Sequence, residues 1–240
     1  MSGNDDNTFI PAMNVRRLIN DVKKILKSPL TQHGIYYKHD ESDILKGYAL
    51  IIGPPDCVYD SGAYLFEFFY PPTYPFSPPV VKYKTNNGYT RFNPNLYKNG
   101  KVCISLLNTW RGDQWSACQN ISTILLNLVS LLNNAPLLNE PGVTETNQDF
   151  PKYNKIIQYE NINFAILKFL EKSYFVGGFE NFHEIYKNYM KENYTRILQK
   201  IEKLKTEKKE ELTVQIYRMK CNINYNELLE KYKTAEHLIK

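Results

Sequence analysis

Four short apolar runs in close succession, each cut off by turn-forming residues, restrict this chain more than any other feature. They are Ile35–Tyr37, Gly47–Gly53, Ala63–Tyr70 and Val80–Lys84. Gly, Pro, Asp and Ser fill the connections, including Asp60-Ser61-Gly62 and the proline-rich bend Pro71–Pro79. Parallel strands need a long crossover, which these connections cannot hold, so the runs predict an antiparallel meander. Ahead of them, Val15, Leu18, Ile19, Val22, Ile25 and Leu26 recur at helical spacing from Pro11 to Lys27, and Ser28-Pro29 ends the pattern. Behind them, Ile121, Ile124, Leu125, Leu128, Leu131 and Leu132 predict a helix over Ile121–Asn133 with Asn120 as its N-cap. The fold class is therefore α+β: an N-terminal helix, a four-stranded antiparallel meander, an irregular loop, then helices.

The 240 residues suffice for a core domain with an extension. We place the core at residues 10–145 and a helical C-terminal extension at 146–240. Residues 1–9 are polar and read as loose. Beyond residue 150 the pattern reads as helical throughout. One stripe runs from Tyr153 to Leu170, Gly177-Gly178 interrupts, and a second runs from Phe182 to Leu204. The charged run Lys200–Glu211 fits either a solvated helical extension or a break, and Leu228–Leu238 marks a last helix.

Cys57, Cys103, Cys118 and Cys221 stand far apart with no Cys-x-x-Cys pair, so neither a zinc site nor any other cofactor is expected. Free thiols, with no membrane-length apolar run and no secretory leader, lead to the expectation of a cytoplasmic or nuclear protein, no membrane being engaged. The net charge of +5, carried mostly past residue 145, can attract an acidic partner. It falls short of a nucleic-acid footprint, and no nucleic acid is expected as a partner.

Residues 85–119 show no period and many turn formers. A long irregular segment inside a compact domain is usually functional. Within it, Phe92-Asn93-Pro94-Asn95 precedes Asn99-Gly100-Lys101-Val102-Cys103-Ile104-Ser105-Leu106-Leu107. A thiol on such a loop can act as a nucleophile through its thiolate, or it can be a small core residue. The Asn95 amide can stabilise an oxyanion, or it can bond the local backbone in an Asx-turn. None of the four histidines is near Cys103 in sequence, so a Cys-His pair has no support here. An activated thioester attacked by an oriented amine needs no dedicated base.

Taken together, Tyr74-Pro75-Phe76-Ser77-Pro78-Pro79, the Asn93-Pro94-Asn95 turn, the segment Asn99–Leu107, Trp115-Ser116 and the helix after them resemble the ubiquitin-conjugating enzyme family. The resemblance covers about residues 10–142. It implies the fold drawn above and a relay in which Cys103 takes a modifier from an activating enzyme as a thioester. A substrate lysine or a ubiquitin ligase cysteine then receives it. The expected partners are thus ubiquitin or a ubiquitin-like modifier, an activating enzyme, a ligase and a substrate protein.

Carried over to this sequence, the resemblance gives Asn95 the oxyanion and places Ser105 where the family often has an acidic gate residue. Glu140 falls where an acid helps position the lysine. Phe76 matches one ligase-binding loop, and Trp115, Ser116 and Ala117 the second. Arg16 and Arg17 lie on the helix face that meets the activating enzyme. The family's usual His-Pro-Asn is Asn93-Pro94-Asn95 here. The stretch between Cys103 and Trp115 is four residues longer, and Ala117 replaces a common proline. Those departures and the extension look like the Z-type branch of the family. A non-catalytic binding module of the same fold is the alternative function.

Overall fold

The computed structural model describes residues 10–206 and 209–240. The segment expected to be loose, residues 1–9, lies outside the described residues. Helix α1 spans Ala12–Lys27 and buries Leu18 and Ile25. The meander follows as β1 (Ile35–His39), β2 (Lys46–Ile52), β3 (Ala63–Phe69) and β4 (Val80–Tyr83), paired in chain order and antiparallel throughout. Its register sets Tyr37 opposite Ala49, Leu50 opposite Leu65, and Phe68 opposite Val81. Strand β2 is buried on both faces from Gly47 to Ile52.

Helix α2 (Ile121–Ser130) is capped as expected, with Asn120 Oδ1 accepting from the Thr123 N–H. It stops three residues before the expected end, where tight turns at Leu131–Asn133 take over. Its stripe of Ile121, Ile124, Leu125 and Leu128 is fully buried.

The C-terminal part departs from the helical expectation. Helices α3 (Phe150–Glu160), α4 (Phe182–Leu204) and α5 (Tyr225–Thr234) are present. Between α4 and α5 the chain forms a hairpin, β5 (Glu210–Val214) with β6 (Met219–Ile223). Leu212 and Val214 on one strand, and Met219, Cys221 and Ile223 on the other, are buried and alternate with more exposed residues. That period of two belongs to a half-covered sheet, and it was masked in sequence by the charged run before it.

The extension shares one hydrophobic core with the meander. Helix α3 runs into a wider, π-helical turn over Asn161–Ile166. There Asn161 Oδ1 accepts from Tyr64 Oη (2.6 Å), and Asn161 Nδ2 donates to the Asp60 carbonyl (2.9 Å). The contact requires glycine at position 62, where a Cβ would stand 2.0 Å from Asn161 Oδ1. Helix α4 adds a bond from Tyr186 Oη to the Ser61 carbonyl (2.7 Å). It also contributes Arg196 and Lys200, both paired with the buried carboxylate of Asp60.

Candidate active site

The irregular segment folds back on itself around the Asn-Pro-Asn turn. Gly100, at φ 86°, closes the Asn-Gly turn, and the chain then returns beside its own start, with Leu96 bridged to Val102. This return sets Asn95 and Cys103 face to face. The Cys103 N–H donates to the Asn95 carbonyl (2.9 Å), and Asn95 Nδ2 donates to the Cys103 carbonyl (2.6 Å). The carbonyl acceptor fixes which way the Asn95 amide points, since the flipped amide would set two oxygens together. Asn95 Oδ1 is buried with no hydrogen-bond partner. The bond to Cys103 uses one of the two Nδ2 hydrogens, so a second donor remains on that nitrogen.

Asn93 holds the turn through its side-chain amide. It is fully buried. Its Oδ1 accepts from the Asn95 N–H (2.9 Å) and from Asn139 Nδ2 (3.4 Å). Its Nδ2 donates to the Leu131 carbonyl (2.9 Å) and to Tyr59 Oη (3.1 Å). Donors and acceptors on both ends of the amide are engaged, so the turn keeps its hydrogen bonding without an imidazole.

Cys103 itself is buried, the residue being 2% exposed. Thr109 Oγ1 accepts from the Ile104 N–H (3.1 Å) and faces the Val102 and Ile104 carbonyls at 3.0 and 3.1 Å. One hydroxyl from the lengthened loop thereby ties the chain on both sides of Cys103. A tight single turn at Ser105–Leu107 continues the segment. Gly112 of the same loop packs on Ser105, with its ideal Cβ position 3.2 Å from that of Ser105.

Glu140 is half-buried, and its Oε2 accepts from Tyr217 Oη (2.5 Å) of the extension. The residue is therefore already bonded rather than a solvated charge. Burial, and next the carboxylate beside it, push the Tyr217 hydroxyl pKa well above the ordinary tyrosine value.

The expected partner-facing residues divide. Phe76 is 66% exposed, while Arg16 and Ser116 are exposed and Ala117 is partly so. Trp115 is a correction, because its ring is buried against Tyr74 and its Nε1 donates to the Pro75 carbonyl (2.7 Å). It joins the two loops from beneath and presents no ring to a partner. Arg17 is partly buried and engaged within the fold. Its guanidinium donates to Asp21 Oδ2 (2.8 Å) and to the carbonyls of Ala117 and Gln119 (both 2.7 Å), so it holds the second loop onto α1.

Sequence reasoning did not find Thr109, Arg91 or Tyr217. Thr109 lies in the lengthened loop that the sequence did show, but nothing marked its hydroxyl. Arg91 carries no motif at all, and Tyr217 sits on the unforeseen hairpin. Among the described residues, no group of three or more His, Cys, Asp or Glu side chains is placed to hold a metal ion. Among them also, no helix is long and apolar enough to cross a membrane.

The burial pattern predicts an order of thiol reactivity. Cys118 is exposed, whereas Cys103, Cys57 and Cys221 are buried. An alkylating reagent should modify Cys118 first, with Cys103 following at a rate set by opening of its cover. Thr109→Val removes the hydroxyl tie and should speed Cys103 modification severalfold, read by peptide mass spectrometry. An unchanged rate would mean that the lengthened loop does not control access.

A sequence model described as "Ubiquitin-conjugating enzyme" matches residues 17–160. Ubiquitin-conjugating enzyme E2 Z of Xenopus tropicalis is 42% identical over 160 residues, covering 65% of this chain and 50% of that protein. The Homo sapiens protein of the same name is 42% identical over 158 residues, covering 65% of this chain and 44% of that protein. The Homo sapiens dual E2 ubiquitin-conjugating enzyme/E3 ubiquitin-protein ligase BIRC6 is 35% identical over 183 residues, covering 70% of this chain and 4% of that protein. The chain thus spans about half the length of the E2 Z relatives. With the helix, meander, turn and cysteine in the order described, it belongs to the ubiquitin-conjugating enzyme family.

Proposed function

We propose that this protein is a ubiquitin-conjugating enzyme, an acyl transferase that carries ubiquitin or a ubiquitin-like modifier as a thioester on Cys103. The two-way pairing of Asn95 with Cys103, in a chain of this family, carries the reading. The Cys103 thiolate attacks the carbonyl carbon of the modifier's thioester on the activating enzyme. The tetrahedral intermediate collapses, and the activating enzyme's thiolate leaves. A neutral lysine amine of the substrate next attacks the same carbon and gives up its proton to solvent. The Cys103 thiolate departs and an isopeptide bond remains; a ligase cysteine can take the acyl group by the same exchange.

The role of Asn95 follows from its spare hydrogen. Placed beside the thioester carbonyl, that donor meets the oxygen as negative charge develops, where a fixed dipole gains most. Glu140 and Ser105 flank the path of the amine in this reading. Phe76, with Ser116 and Ala117, faces the ligase, and Arg16 faces the activating enzyme. Charging requires the Asn108–Gln114 loop to part from residues 102–104, since an acyl group cannot be added to an enclosed sulfur. A reducing compartment, cytoplasm or nucleus, suits chemistry that runs through a free thiol.

The enclosed sulfur is the one observation that favours the second reading, a binding module of the same fold with no transfer activity. Charging separates the two. Incubated with activating enzyme, ATP and ubiquitin, the protein should form an adduct that thiol reduction removes, and the mass increment should map to the Cys103 peptide. A folded protein that forms no adduct with ubiquitin or any ubiquitin-like modifier tested would leave the binding module standing.

A further inference from the structure

The tip of the β5–β6 hairpin reaches the Asn-Pro-Asn turn, although the two lie more than 120 residues apart in the chain. Arg91 is the link. Its guanidinium donates from Nε to the Asn93 carbonyl (3.2 Å) and from Nη2 to the Pro94 carbonyl (2.5 Å). That guanidinium is held between two rings, 3.4 Å from the centre of Tyr97 and 5.1 Å from the centre of Tyr217. The extension grips the Arg91 backbone as well. The Arg91 N–H donates to Met219 Sδ (3.0 Å), and Tyr153 Oη donates to its carbonyl (2.7 Å). Tyr217 is fixed in turn by its bond to Glu140 and by Tyr153, whose ring centre is 5.7 Å away. The hairpin tip is tied down too, with the Gln215 and Ile216 N–H groups donating to Asp149 Oδ2 (2.8 and 3.0 Å).

We propose that Tyr217 is a positioning residue: its ring holds Arg91 onto the Asn93 and Pro94 carbonyls, and so fixes the Asn95 side chain that faces Cys103. The hairpin of the extension then acts as a clamp supplied in cis to the active-site turn. A guanidinium between two rings keeps its planar fork aimed while losing little freedom, which a solvated arginine would not. The consequence for transfer rests on the reading of Cys103 as the acyl carrier. The consequence for Asn95 does not, because the clamp already exists in the uncharged protein.

The test uses the full chain with Tyr217→Leu and Tyr217→Phe. In the uncharged protein, solvent exchange of the Asn95 side-chain amide hydrogens, followed by NMR, should speed at least about fivefold in Tyr217→Leu. Tyr217→Phe keeps the ring over Arg91 and should stay within about threefold of the parent. In protein charged with ubiquitin, Tyr217→Leu should leave the rate of charging unchanged and slow discharge to free lysine about tenfold. In an Asn95→Ala background the same change should cost less than about twofold, since its route of action is gone. Parent-like amide exchange in Tyr217→Leu would overturn the proposal, as would an equal slowing of discharge with Asn95 absent. Should the parent protein fail to charge, the acyl-carrier reading falls, and the Asn95 exchange rates still decide the clamp.

Discussion

Asn95→Ala should charge with modifier at close to the parent rate and discharge to free lysine about 100-fold or more slowly. Loss of one donor aimed at an oxyanion typically costs this much. The substitution is mild on the fold for two reasons. The backbone bonds of residue 95 survive, because Asn93 Oδ1 still accepts from its N–H and its carbonyl still accepts from Cys103. It also removes a buried oxygen that has no partner, which offsets the lost bond to the Cys103 carbonyl. The net stability change should be about 1 kcal/mol or less. Asn95→Asp is the sharper variant. It has the same shape, but it sets a carboxylate against both the Cys103 carbonyl and the developing negative charge, so discharge should be at least as slow as in Asn95→Ala. Single-turnover discharge of purified thioester, read on non-reducing gels, measures all three proteins. An Asn95→Ala protein that discharges within twofold of the parent would end the oxyanion role.

What the sequence made legible followed from short-range rules. The meander was readable because turn residues cut its strands at short intervals. The α2 cap was readable because Asn120 directly precedes an apolar stripe at helical spacing, and its Oδ1 does accept from the Thr123 N–H. A turn beside a thiol was readable from Asn93-Pro94-Asn95 and Asn99-Gly100, but the bond from Asn95 Nδ2 to the Cys103 carbonyl was not.

What was not legible depended on contacts far apart in the chain. Trp115 was expected at a partner surface, yet its Nε1 finds the Pro75 carbonyl 40 residues earlier and the ring is drawn inward. Arg17 was expected on the helix face that meets the activating enzyme. Two carbonyls about a hundred residues away, at Ala117 and Gln119, take its donors. The β5–β6 hairpin was read as helix because the α4 pattern runs straight into charged residues, and its five buried side chains alternate over strands too short to outweigh that run.

Asp60→Ala should lower stability by about 3 kcal/mol, the cost of breaking a buried ion pair from one side. In a chain of this size the melting temperature should fall by about 6–12 °C. Asp60 is 2% exposed and lies in the turn between β2 and β3. Its carboxylate accepts from Arg196 Nη1 and Nη2 (2.8 and 3.0 Å), from Lys200 Nζ (2.9 Å) and from Ser61 Oγ (2.8 Å). Both cations come from α4, so the substitution strikes the joint between extension and meander. Burial alone would raise the Asp60 pKa, but the hydrogen bonds from Arg196 and Lys200 outweigh it and hold the group below the ordinary carboxylate value. A depressed folded-state pKa stabilises fully above the unfolded value of about 4, and that stability is lost as pH falls through the folded value. The parent and Asp60→Ala melting curves should therefore lie well apart at pH 7 and converge as pH falls below about 4. Glu211→Ala is the control, since its pair with Lys220 is more than half exposed on both sides and should contribute under about 1 kcal/mol. The same joint bears on the active site, because the hairpin that carries Tyr217 follows directly on the helix Asp60 holds. Asp60→Ala should accordingly expose the Asn95 side-chain amide to exchange well below the global melting temperature. Coincident loss of that protection and of the meander's own amide protection would show instead that extension and core unfold as one unit.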